Sequence, residues 1–269
     1  MILARELSLD EIASIRQNTP SDLEIEVFVH GAMCVSFSGR CLLSNYMTGR
    51  DGNRGECAQP CRWKYHLVEE RTPGEYFEIQ EHPEGSYIMN SRDLCAIEFL
   101  DKLADAGVSS LKIEGRAKSE YYAAAVTRAY RGALDDLIAG KPFDPAWRDE
   151  LEKTSHRPYC NGFFFGLPKE GIQYTGDARY IRDWEVAAVV ERTDGDWAYA
   201  SLKNPFEVGE PLELLRPNAP VRTVTVGEIF ELDGEGEERS VFRATKNQFM
   251  HKLKLPGGCA QAILRKPKK

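Results

Sequence analysis

Residues 109–140 read SSLKIEGRAKSEYYAAAVTRAYRGALDDLIAG. Ser109 to Ile113 reads as a strand, and a long helix is expected from about Ser119 to Ile138, closed by Gly140. Upstream, Ser91 is placed to cap a helix through about Ala106 that Gly107 ends. Leu23 to His30 (LEIEVFVH) alternates and is rich in β-branched and aromatic residues, so it predicts another strand. Ser8, with Glu11 three residues on, forms a capping box for a helix that runs to about Gln17 and stops before Pro20. Ile2 to Arg5 reads as a short buried strand. Strand and helix alternating through short glycine turns predicts right-handed β/α units around a parallel sheet. Only about three such units are present, too few to close a barrel. The sheet is therefore open, or an N-terminal half is missing, or a partner chain supplies it.

Residues 44–62 read as an irregular loop, followed by short strands at Lys64 to Glu69, Tyr76 to Gln80 and Ser86 to Met89. His156 to Asp177, with four glycines, reads as a connection. Beyond about residue 180 the character changes. Trp184 to Glu191, Trp197 to Lys203, Pro211 to Arg216, Val221 to Glu231, Ser240 to Lys246 and Gln261 to Leu264 are strand-like, with turns at Asp194-Gly195 and Asp233-Gly234. That pattern predicts an antiparallel sheet, read as a small barrel, ending in a basic tail from Arg265 to Lys269.

Of 269 residues, 42% are hydrophobic and 29% charged, as in ordinary globular chains. No apolar run approaches the roughly 20 residues of a membrane-spanning helix. Met1 to Glu6 lacks the pattern of a secretory signal. A cytoplasmic location and no membrane contact are expected. The net charge of −7 argues against a generic nucleic-acid-coating surface, so any such contact needs a local patch.

Five of the seven cysteines fall between positions 34 and 95. Cys34, Cys41, Cys57 and Cys61 have six, fifteen and three residues between successive members. Four thiolates on short loops are the usual holders of an iron–sulfur cluster. Nearby glycines let the backbone curl, and Arg40, Arg50, Arg54, Arg62 and Lys64 would offset thiolate charge. A tetrahedral zinc would use the same sulfurs, but zinc ribbons show Cys-x-x-Cys knuckles, which are missing here. Independent buried thiols are the third reading. Cys95, near the start of the helix expected after Ser91, competes with Cys61 for the fourth position. Cys61 is preferred because it shares a loop with Cys57. Cys160 and Cys259 read as core or surface thiols.

Lys112, Glu114, Arg116 and Lys118 crowd the end of a strand, where β/α folds carry their sites. They suit a cavity, or equally a salt-bridged strand end that pins the next helix. His30 ends its strand just before the cysteines and reads first as a satisfied buried histidine. From Arg40 to Lys64, basic residues interleave with Tyr46, Trp63 and Tyr65. Such a loop can grip phosphates and stack on unpaired bases, or simply balance a cluster's charge. No Gly-rich nucleotide fingerprint, His-Glu-x-x-His or Gly-x-Ser-x-Gly motif is present.

EVFVHGAMCVSFSGRCLLSNYMTGRDGNRGECAQPCRWKY, then NSRDL and SLKIEGRAKSEYYAAAVTRAYRGALDD, resembles the collagenase-like peptidase family U-32. The likeness covers about residues 2–160, and the strand-rich tail is similar to the family's small C-terminal barrel. It implies an α/β fold: a partial (β/α) TIM-like barrel with a cysteine-rich loop over 1–160, a linker over 161–180, and a small antiparallel β-barrel over 181–269. The family name implies proteolysis. Better understood members hydroxylate without dioxygen, acting on ubiquinone precursors, on tRNA wobble uridine to give 5-hydroxyuridine, or on ribosomal RNA to give 5-hydroxycytidine, with prephenate implicated as oxygen donor. CRWKY and RDGNRGEC look most like the tRNA branch, which makes tRNA the expected partner, gripped through the local basic patch. The resemblance implies a 4Fe-4S cluster on Cys34, Cys41, Cys57 and Cys61, and places His30, Lys112, Glu114 and Arg116 in family motifs as catalytic candidates. Family members of this type are longer and begin with a half-barrel that this sequence departs from.

Overall fold

The computed structural model describes residues 1–34, 39–63, 67–68, 76–77, 91–116, 118–167, 180–217, 219–233, 237–255, 257 and 260–268. The chain divides into two units, one of residues 1–117, 130–148 and 156–181, the other of 118–129, 149–155 and 182–269.

The first unit begins with α1 (Leu9–Gln17), whose capping box forms as expected: the Glu11 N–H donates to Ser8 Oγ, and the Ser8 N–H donates to Glu11 Oε2 at 2.8 Å. Next come β1 (Glu26–Ala32), α2 (Leu43–Thr48), β2 (Leu67–Val68), β3 (Tyr76–Phe77), β4 (Asp93–Cys95), α3 (Leu100–Asp105), β5 (Ser110–Ile113), α4 (Glu120–Ile138), α5 (Ala146–Glu152) and β6 (Tyr159–Cys160). Helices α4 and α5 each contribute residues to both units. Of the short strands expected after residue 63, Ser86 to Met89 lies outside the described residues.

The main sheet has the order β5-β1-β4-β6. β1 and β5 are parallel, as are β4 and β6, but β1 and β4 are antiparallel, with His30 opposite Cys95. The wholly parallel sheet expected from the sequence is thus corrected at its centre. Cys95 was expected on a helix capped by Ser91. Instead Ser91 is buried and donates to the Met33 carbonyl at 2.6 Å, the chain runs extended through Cys95, and a 3-10 turn at Ile97–Phe99 leads into the α-helix at Leu100. A serine's local capping tendency is weaker here than strand pairing in a buried sheet. Ile2 to Arg5 does not make a strand either. Only Ile2 bridges, to Glu26. The alternation of β1 holds, with Ile25, Val27 and Val29 buried. Helix α5 had no counterpart in the sequence reading. Its start is marked by Asp144, which accepts from the Ala146 N–H at 2.9 Å, followed by Pro145.

The second unit carries β7 (Trp184–Asp194), β8 (Trp197–Leu202), β9 (Phe206–Glu207), β10 (Pro211–Leu215), β11 (Arg222–Thr225), β12 (Ile229–Leu232), β13 (Glu238–Ser240), β14 (Arg243–Ala244), β15 (Met250–Lys254) and β16 (Ile263–Pro267). Eight of them form an antiparallel sheet in the order β11-β10-β16-β7-β8-β15-β12-β13. The two long strands expected at Val221 to Glu231 and Ser240 to Lys246 are each broken in two, and β15 is additional. Inward residues Ala198, Ala200, Leu202, Leu212, Leu214, Ile229, Leu253 and Leu264 form its core.

Two residues of the expected basic tail, Arg265 and Lys266, are buried. Arg265 is fully buried, bonded to Glu150 (2.7 Å), Glu213 (2.7 Å) and the Tyr121 hydroxyl (3.1 Å), and Lys266 is held by Glu210 at 3.1 Å. Burial works against the Glu150 carboxylate, but Arg265 and Lys153 outweigh it and hold its pKa below the usual range. Among the described residues no helix is long and apolar enough to cross a membrane.

Candidate functional site

The site is built where β1 ends and the cysteine segment starts. Gly31 has φ +108, and a Cβ there would fall on the Glu114 carbonyl oxygen and lie 2.9 Å from Glu114 Cβ. The Glu114 N–H donates to the His30 carbonyl at 2.9 Å. Only glycine permits this backbone-on-backbone approach, which sets the end of β5 beside the turn into Cys34.

Arg5 fills the angle between them. Its Nη1 donates to the Ala32 carbonyl at 2.6 Å and to Cys34 Sγ at 3.5 Å, and its Nη2 meets Glu114 Oε2 at 3.4 Å. Its guanidinium lies 3.9 Å over the Phe28 ring, and its side chain is only 9% exposed. Sequence reasoning missed this residue. The only signal was a lone arginine directly after the apolar start of the chain.

Of the basic block after β5, Lys112 pairs with Glu26 at 3.3 Å and lies 5.1 Å from the Phe28 ring centre. Glu114 accepts from the Arg116 N–H at 2.9 Å as well as from Arg5. Arg116 is exposed, and a Cβ on Gly55 would come within 3.6 Å of its Nη1. The second sequence segment thus meets the cysteine loop through Arg116, and Cys34 through Glu114 and Arg5. Lys112 and Glu114 sit in the ion pairs of a strand end.

Cys34 is exposed, while Cys41, Cys57 and Cys61 are half-buried. Partial crowding pushes the Cys34 thiol pKa up, Arg5 pulls it down, and Cys57, Glu6 and Cys41 push it up again. Three of the four thiols therefore share one electrostatic neighbourhood. The Gln59 N–H donates to Cys57 Sγ at 3.3 Å, from a residue in the left-handed region (φ 56). The Ala58 N–H donates to the buried Ser44 hydroxyl at 3.0 Å and ties this loop to α2. Gly52 passes close by, with room for a Cβ only 3.9 Å from Cys57 Sγ.

Among the described residues no three His, Cys, Asp or Glu side chains converge tightly enough for one metal ion. A lone tetrahedral zinc requires that convergence, since its sulfurs lie about 3.8 Å apart. A four-iron cluster does not, because each thiolate binds its own iron. Thiols that sense one another, amide and guanidinium donors aimed at sulfur, and close-passing glycines fit the cluster better than zinc.

Cys95 has a different environment. It is 3% exposed, the Tyr130 hydroxyl lies 3.9 Å from its sulfur, and burial pushes its pKa up to about 11. This enclosed setting differs from the exposed or half-buried setting of Cys34, Cys41, Cys57 and Cys61. Cys160 is half-buried on β6, and Cys259 lies outside the described residues.

His30 is 1% exposed, its Nδ1 3.3 Å from the Tyr130 hydroxyl and its ring packed against Tyr130 and Tyr159 at 5.4 and 5.2 Å. Tyr159 in turn stacks on His156 at 4.5 Å. The Tyr130 hydroxyl donates to the Val29 carbonyl at 2.8 Å and accepts from the Ala96 N–H at 3.0 Å. His30 is thus part of a buried aromatic packing. On the cysteine loop, Arg40, Arg50 and Arg54 are exposed, as are Tyr46 and Trp63. Arg54 lies 3.7 Å from Asp51. The Arg62 side chain, Lys64 and Tyr65 lie outside the described residues.

Comparison with known proteins gives two family matches: peptidase family U32 over residues 1–174 and the peptidase family U32 C-terminal domain over 182–265. The chain is 40% identical over 262 residues to tRNA hydroxylation protein P of Escherichia coli (strain K12), covering 82% of this chain and 58% of that one. It is 37% identical over 240 residues to tRNA hydroxylation protein P1 of Bacillus subtilis (strain 168), covering 87% and 56%. It is 35% identical over 178 residues to a protein named collagenase from Porphyromonas gingivalis (strain ATCC BAA-308 / W83), covering 62% and 42%. The chain spans about half the length of these curated relatives. With a family match over its first 174 residues, a second over its β-sheet unit, and relatives aligned across most of its length, the chain belongs to peptidase family U32.

Proposed function

We propose that this chain belongs to an RNA-modifying enzyme that adds a hydroxyl to C5 of a tRNA wobble uridine without dioxygen. The observation that carries the reading is the 40% identity, across 82% of the chain, with a relative named for tRNA hydroxylation. In this reading Cys34, Cys41, Cys57 and Cys61 hold a 4Fe-4S cluster. When bound, that group supplies one-electron transfer. The chain's own residues hold and shield it: Arg5 and the Gln59 N–H reach the sulfurs, and Gly31 keeps the strand ends together. Exposed Tyr46 and Trp63 among Arg40, Arg50 and Arg54 suit a single-stranded loop, by stacking on bases and attracting phosphates. A carboxylate-bearing oxygen donor such as prephenate would meet the cationic Arg116 beside the cysteine loop.

The four strands of the main sheet among the described residues do not close a barrel, and the reading includes a partner chain that completes the substrate pocket. The test is nucleoside mass spectrometry of tRNA from a strain deleted for the intact gene. Loss of 5-hydroxyuridine-derived nucleosides, restored by the wild-type gene but not by Cys57→Ala, is the expected result. Normal levels in the deletion strain, with no paralogue responsible, would sink the proposal.

A second reading, proteolysis, has the collagenase-named relative in its favour. Thiol hydrolysis needs a base at the nucleophile. Cys34 takes its bond from Arg5, and His30 packs against Tyr130 and Tyr159, so the geometry does not favour a Cys34–His30 pair. Gelatin cleavage by purified protein with its iron intact, abolished in a site variant, would revive it.

A further inference from the structure

We propose that Arg5 is a positioning residue of the cysteine site, holding Cys34 in place and setting the charge that its sulfur feels. The inference rests on the cluster reading above. Three anchors fix the guanidinium independently of the sulfur: the Ala32 carbonyl at 2.6 Å, Glu114 at 3.4 Å and the Phe28 ring at 3.9 Å. A group so held keeps its N–H aimed at Cys34 Sγ, 3.5 Å away, whatever the sulfur binds. Its charge is permanent, because guanidinium does not deprotonate in proteins. At 9% exposure that charge is poorly screened.

The direction of the effect follows from electrostatics. A fixed cation and an N–H donor at a ligand sulfur favour the cluster state with one more electron, so they raise the reduction potential. Glu114 works against this, since its carboxylate lies 3.4 Å from Arg5 Nη2 and partly offsets the guanidinium charge. Removing Arg5 and removing the Glu114 charge must therefore shift the potential in opposite directions. A purely structural strut would not behave so, because loosening the same contact from either side would act alike.

The experiment is anaerobic potentiometry of the full chain, read by visible absorbance and electron paramagnetic resonance, with iron and sulfide quantified per chain. Wild type, Arg5→Gln, Arg5→Lys and Glu114→Gln are compared. At the wild-type midpoint, Arg5→Gln is expected to lower the reduced-to-oxidised ratio about tenfold, equivalent to about 59 mV for one electron. Arg5→Lys should recover part of that shift, and Glu114→Gln should raise the ratio. Full cluster loading with unchanged potentials, or shifts of the same sign in Arg5→Gln and Glu114→Gln, overturns the proposal. If Arg5→Gln does not hold a cluster, the sign for Glu114→Gln decides. A wild type without iron overturns the cluster reading itself and this inference with it.

Discussion

Gly31→Ala tests the close approach on which the site is built. At φ +108 an alanine pays a backbone cost of about 1–3 kcal/mol. Its Cβ would also meet the Glu114 backbone carbonyl and come 2.9 Å from Glu114 Cβ. A carbonyl in a paired strand end cannot swing aside as a flexible side chain can, so relief means separating β1 from β5, at about 1–3 kcal/mol more. The total is about 2–6 kcal/mol, with about 3–4 kcal/mol as the central value. At about 2–4 °C per kcal/mol for a domain of 150–250 residues, the melting temperature should fall by about 10 °C. The control is Gly140→Ala in the same unit. Gly140 has φ +70 and nothing within 4 Å of its would-be Cβ, so only the backbone cost of about 1 kcal/mol applies. Thermal unfolding followed by near-ultraviolet circular dichroism measures both. Equal drops in the two variants would refute the argument that the Glu114 contact, rather than the positive φ alone, demands glycine.

Other perturbations probe the site and the two cores. Cys57→Ala should abolish iron binding, whereas Cys95→Ala should retain it; iron per chain after anaerobic purification checks this, and loss in both would return Cys95 to the ligand set. Tyr130→Phe should cost only about 1 kcal/mol in thermal unfolding, since the Ala96 N–H and the Val29 carbonyl that its hydroxyl bridges also bond each other at 2.9 Å. Arg265→Met should cost about 1.5–3 kcal/mol at pH 7, because Glu150 and Glu213 lose their shared guanidinium partner but keep Lys153. The Glu150 pKa is lowered in the fold, so its contribution is complete above its unfolded value of about 4.3 and is lost as pH falls through the lower folded value. The penalty of Arg265→Met, read from urea midpoints, should therefore shrink between pH 5 and the most acidic pH at which the protein folds; a penalty constant with pH would refute the assignment.

Features set by neighbours in sequence were legible without coordinates. The Ser8–Glu11 capping box spans three residues, α4 follows its strand through a short turn, and Gly107 and Gly140 end helices with positive φ. The alternation of β1 and the antiparallel character of the second unit are period-two patterns that any pleated strand must show. The cysteine spacing named a set of candidates, because thiols on one loop are neighbours by construction. What misled was local evidence with a stronger distant competitor. Ser91 looked like a helix cap, but its hydroxyl donates to Met33, 58 residues away, and the segment after it pairs with β1 and β6. Arg265 and Lys266 read as part of a basic tail, yet both are buried and bonded to Glu150 and Glu210.

By itself, then, the sequence determined the local elements, the family and the candidate thiols, all of which rest on short-range spacing. Tertiary structure alone decided the strand sense at the centre of the first sheet, the separate environment of Cys95, and the place of Arg5. Arg5 meets Glu114 across 109 positions, and Arg265 meets Glu150 across 115. No periodicity encodes such pairs. They form because a buried charge must find its counter-charge wherever the folded backbone brings one.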